Sequence, residues 1–198
     1  MAHSNSEKIY KIALVAMFTA LTAVGAFIRI PLPVIPFTLQ IFFTTMAGLL
    51  LGSKLGALAV GMYVLLGLCG VPVFSGGGGF TYIFTPSFGY IVGFVGGAWL
   101  TGVLSASVRR GEVTRPGICF FRLLLSGFAG LGVIYALGLL HCYVIYTFYL
   151  KTPISLWTLL LNGLIMTIPA DILKMILAAF CAQRLIPIVC KKDRKKAC

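Results

Sequence analysis

The sequence predicts an all-α, polytopic membrane protein with six transmembrane helices and both termini on the cytoplasmic side. Its composition points that way: of 198 residues, 60% are hydrophobic and only 10% charged, against about 25% charged in ordinary soluble domains. Apolar runs long enough for a bilayer recur between breaks rich in charge, proline or glycine. The basic residues alternate by side. With the N-terminus inside, thirteen Lys and Arg fall on the cytoplasmic side and only Arg29 and Lys151 on the other, a strong positive-inside asymmetry that an even number of spans satisfies. The net charge of +12 would suit a nucleic-acid binder, but such a protein would not place long apolar runs between its charges, so no nucleic-acid partner is expected.

The chain reads as one membrane domain over 1–198. The first span is expected at 9–28. A cleaved signal peptide is the rival reading, but the apolar stretch is long for one and more of the same character follows. Arg29 ends this helix, and Pro31, Pro33 and Pro36 forbid its continuation. Short helices are expected at 37–51 and 55–68, flanking Gly52, Ser53 and Lys54. Residues 69–89 hold four consecutive glycines and two prolines and cannot form a stable helix. At membrane depth such backbone is tolerated only inside protein or along a cavity. Further helices are expected at 90–108, 119–149 and 169–190, the last opening at Pro169 with Thr167 near its N-cap. The stretch 154–168 is apolar but short, as in a re-entrant or interfacial segment. The tail KKDRKK suits a topology anchor near anionic lipid.

Asp171 is the acid that lies in an apolar stretch; Glu7, Glu112 and Asp193 sit in polar, basic surroundings. Lys174 stands three residues on, hence on the same helix face. An ionisable side chain at mid-bilayer costs roughly 2.5–3.5 kcal/mol on insertion scales and is usually explained by a partner, a wet cavity or a ligand. Two readings stand. In one, Asp171 is a first-turn acid favoured by the helix dipole and neutralised by Lys174. In the other, the pair is an acceptor and donor aimed into an outward-facing pocket.

Gly76, Gly77, Gly78 and Gly79 lack the Lys-Ser or Lys-Thr of a phosphate loop. They offer backbone N–H groups and close approach to a ligand, beside Phe80, Tyr82, Phe84 and Tyr90. A flexible tether and an interfacial aromatic belt are the alternatives. Gln40 is a lone amide, either a cap or a pocket donor. Ala13, Ala16 and Ala20, continued by Ala23, make a small-residue stripe that would let another helix approach or would pack within the bundle. The six cysteines show no metal-site spacing and read as small apolar residues. No metal site or catalytic residue is expected; Ser75, Ser126 and His141 could suggest an intramembrane hydrolase, but no nucleophile motif accompanies them.

The segments ALTAVGAFIRIPLP, VIPFTLQ, AGLLLGSKLGALA, GLCGVPVFSGGGG, TPSFGYIVGF and IPADILK, in this order, together resemble the BioY family, the substrate-capture (S) components of energy-coupling factor (ECF) biotin transporters. That resemblance implies a six-helix S component in the cell membrane. It would bind biotin as transported ligand, with no cofactor, and work with a transmembrane coupling subunit and two cytoplasmic ATPases. Some members are reported to take up biotin alone, and loaded S components are described as toppling in the bilayer. By position, Asp171 and Lys174 match the residues that meet the biotin head group. The glycine loop matches the ligand-enclosing loop, and the alanine face of the first helix matches the coupling surface. Thr85, Phe88 and Ala170 depart from the family pattern. For the anionic tail of such a ligand, Arg29 and the glycine loop are the candidates. A capture subunit for another vitamin and a solitary biotin facilitator are the alternative functions.

Overall fold

The computed structural model describes residues 2–30, 36–113, 115–152 and 155–190. Pro31 and Pro33 of the proline loop and the basic tail at 191–198 lie outside the described residues. Helix α1 (Ala2–Phe27) begins about two turns before the expected position. No proline or glycine interrupts 2–8, so nothing stops propagation once the apolar turns have formed. After it, β1 (Arg29–Ile30) pairs antiparallel with β2 (Phe37–Thr38), setting Arg29 opposite Thr38. The expected helix start at 37 is thus occupied by ribbon. The Leu39 amide bonds back to the carbonyls of Gly25 and Ile28 at the end of α1.

Helix α2 spans Gln40–Leu68 but is broken at Gly52, where φ is 86° and ψ −176°. The Gln40 and Tyr63 side chains hydrogen-bond at 2.8 Å, whereas a straight helix would hold them about 35 Å apart. The element is therefore a hairpin of two arms, 40–51 and 53–68, and Gly52 alone makes the reversal. Its dihedrals lie in a region essentially reserved for glycine. A β-carbon there would collide with the Arg109 guanidinium, which donates to the Gly102 carbonyl at 2.6 Å. Close approach continues beside it: a methyl group on Gly102 would sit 2.3 Å from the Ser53 amide nitrogen.

Beyond Leu68 the chain is irregular to a 3₁₀ turn at Phe80–Phe84. Helix α3 (Phe88–Leu104) then breaks at Ser105 into the short α4 (Ala106–Arg109), where one uninterrupted helix was expected. Helix α5 (Pro116–Val144) closes in a π-turn, Ile145–Tyr149. Residues 154–168, read from sequence as re-entrant or interfacial, contain α6 (Leu156–Leu160) and a second π-turn, Leu161–Ile165. Helix α7 (Ile168–Val189) follows.

Among the described residues, four helical stretches are long and apolar enough to cross a bilayer, including 40–68 and 156–189, and α3 is a shorter apolar one. The chain alternates direction through α1, both arms of α2, α3, α5 and α7. Six passes result, with the start of α1 and the end of α7 at one end of the bundle and the ribbon, the glycine loop and the start of α7 at the other. The first arm is short, about 18 Å, but Thr44 through Leu50 are all buried, so most of its length is surrounded by protein rather than by lipid.

Candidate ligand-binding site

Helix α7 is started by Pro169 in its first turn and carries Asp171 there as its N-terminal acid. The three-residue step brings Lys174 alongside. Both are buried, Asp171 completely. Lys174 Nζ donates to Asp171 Oδ1 at 2.7 Å and to the Thr38 carbonyl at 2.7 Å, and it lies 3.5 Å from the centre of the Phe37 ring. The Tyr135 hydroxyl donates to Asp171 Oδ2, and Thr167 Oγ1 lies 2.6 Å from the same tyrosine oxygen. Every atom of the pair is thereby met by a strong partner, as a buried charge pair requires. The sequence supplied the pair; Tyr135, Thr38, Phe37 and Thr167 are partners it did not reveal.

These groups form one side of a cavity of about 490 Å³, its mouth included, at the end of the bundle that holds the ribbon and the glycine loop. Its apolar walls come from Pro36, Ile41, Ile91 and Phe94, and Tyr90 and Tyr135 add aromatic faces edge-on to each other. Tyr90 lines the cavity, its hydroxyl donating to the Gly163 carbonyl at 3.1 Å. Gln40 also lines it, but its amide is committed internally. Nε2 donates to Tyr63, and Oε1 accepts from Thr38 Oγ1 at 3.3 Å.

The glycine loop is folded rather than a tether. Phe74 and Gly77 exchange backbone hydrogen bonds, Gly79 N donates to Gly67 O at 2.7 Å, and the Phe74 ring fills the space above Gly67. Gly76, Gly77, Gly78 and Gly79 do not line the cavity among the described residues. Ser75, just before them, does. The correction has a local cause, since the positive φ of Gly77 and Gly79 turns the loop back onto α2. Tyr82 stands one layer out, its hydroxyl within 3.3 Å of Ser75 Oγ and 3.5 Å of Ser87 Oγ. Phe84 points elsewhere and stacks on Tyr149 at 4.9 Å, so it is not a wall. At the rim, the Arg29 guanidinium donates to the Ser75 carbonyl. On α1, Ala13, Ala16 and Ala20 face outward while Phe18, Thr22 and Ala26 are buried in the bundle.

A membrane-embedded acid and ammonium at the end of a small, partly aromatic cavity is the geometry that likeness to known proteins has to explain. The BioY family model matches residues 1–191. The chain belongs to the BioY family. A probable biotin transporter BioY of Lysinibacillus sphaericus is 40% identical over 92% of this chain and 89% of that protein. The biotin transporter BioY of Thermotoga maritima is 40% identical over 85% and 91%. The crystal structure of the S-component for biotin from an ECF-type ABC transporter superposes with a TM-score of 0.77 at 29% identity, covering 91% of this chain and 93% of that one. This BioY-family chain is accordingly a multi-pass membrane protein with the S-component fold.

Proposed function

We propose that this chain captures biotin at the outer face of the membrane and delivers it inward as the S component of an ECF-type transporter. The observation that carries the reading is the buried Asp171–Lys174 pair lining a cavity with apolar and aromatic walls at the ribbon end of the bundle. One edge of a cyclic urea presents a carbonyl oxygen beside an N–H. That edge complements an ammonium beside a carboxylate, and such charge-assisted bonds are strong. Ile41, Ile91, Phe94 and the tyrosine rings suit the thioether ring and alkyl chain. The carboxylate tail then lies toward the mouth. Lys174 is committed at the head group, and Arg29 at the rim is the cation positioned for the tail, its bond to Ser75 engaging one of five N–H donors. Relatives named as biotin transporters support the ligand, and the S-component structure supports the mode of working.

Partner subunits follow from the same reading: a transmembrane coupling subunit meeting the outward alanines of α1, and two cytoplasmic ATPases. The test is calorimetric titration of the purified protein in detergent against a panel of water-soluble vitamins. Biotin should saturate one site while the others give no heat; preference for another vitamin would sink the substrate assignment and leave the capture role.

A further inference from the structure

Resting on biotin as ligand, we propose that Tyr135 is a positioning residue, whose hydroxyl fixes the Asp171 carboxylate so that one edge of it is held out to the ligand. Tyr135 is 7% exposed and comes from α5, a different helix from the acid it meets. An ionised carboxylate beside an ammonium only accepts hydrogen bonds, so the proton between the two belongs to the tyrosine. The tyrosine has no second hydrogen. Across the 2.6 Å to Thr167 it can only accept, and the single threonine hydrogen is shared between the tyrosine oxygen and the Leu164 carbonyl at 3.0 Å. The Tyr135 hydroxyl is thereby aimed at Asp171 Oδ2, and Lys174 meets the other carboxylate oxygen.

A carboxylate has about four lone-pair positions. Lys174 occupies one on Oδ1 and Tyr135 one on Oδ2, which stops the group from turning to meet the ammonium with both oxygens. A bidentate grip on Lys174 would swing both oxygens toward the ammonium, whereas the Tyr135 bond holds Oδ2 apart from it. The Tyr135 hydroxyl prevents that collapse while its ring serves as cavity wall, and the two roles separate in Tyr135→Phe, which keeps the ring.

The experiment is a double-mutant cycle read by biotin titration of the full chain in detergent, with thermal midpoints recorded alongside. Tyr135→Phe should weaken biotin about fivefold, the size of effect expected from loss of a typical hydrogen bond. In an Asp171→Asn background the same change should cost less than about twofold, because the contacting groups are coupled. Unchanged affinity in Tyr135→Phe, or factors that simply multiply in the double variant, would overturn the positioning role while leaving biotin as ligand. A parent protein that does not bind biotin would overturn the substrate reading and this inference together.

Discussion

Asp171 and Arg29 mark the two ends of the proposed ligand and differ in what they cost to change. Asp171 is wholly buried and neutralises Lys174, so losing its charge strands an ammonium in the bundle. Such one-sided removal typically costs about 3–5 kcal/mol. Asp171→Asn should accordingly lower the melting temperature as well as weaken biotin at least about tenfold, about 1.4 kcal/mol. Arg29 is exposed at the rim, and its substitution should spare stability. Arg29→Gln is expected to weaken the free acid and leave biotin amide unaffected, because only the former carries the tail charge. Equal losses for acid and amide would place the tail elsewhere. Asp171 and Lys174 were legible in the sequence because their relation is local, three residues along one helix. Tyr135 and Thr38 were not. They lie 36 and 136 residues from their partners, and a tyrosine or a backbone carbonyl in an apolar run carries no signal of what it will face.

Helix α1 has two unlike faces. Phe18, Thr22 and Ala26 pack inward, and Thr19 Oγ1 donates to the Ala59 carbonyl on the second arm of α2 at 2.8 Å. Ala13, Ala16 and Ala20 look out. Spacing alone left docking and internal packing open, and the outward orientation favours docking, since only small residues let a further helix come close in lipid. Ala16→Trp and Ala20→Trp should leave biotin affinity within about twofold and abolish ATP-dependent uptake in cells supplying the coupling module. Loss of binding in parallel would show that the face supports the bundle instead. The helix hairpin was readable from Gly52, because one residue whose backbone only glycine adopts is a local signal. The glycine loop misled for the opposite reason. Consecutive glycines announce an unusual backbone, but where it goes is decided by Phe74 seating on Gly67, a contact that no spacing rule foretells.

At the scale of the whole molecule the cavity opens at one end and the layer of core directly beneath it is filled. Leu49, Ala178, Ala179 and Ala182 are fully buried, and Thr45 Oγ1 lies 3.7 Å from Met175 Sδ, bridging the first arm and α7. Nearer the other end, Arg109 sits against the Gly52 turn and donates to Gly102. A ligand held at Asp171 thus has protein packed below it, and inward release requires the bundle to open or the loaded molecule to reorient as a body. Binding free energy spent on capture must be returned on release. Accumulation against a gradient therefore needs an energy source beyond the binding site itself. Expressed in cells that lack coupling ATPases, the protein should bind labelled biotin at the surface without raising internal free biotin above the external level. With a complete coupling module supplied, the same cells should concentrate it. Accumulation against a gradient without the ATPases would mean that another energy source moves this bundle, and the energy-coupled delivery proposed here would fall while the binding site remained.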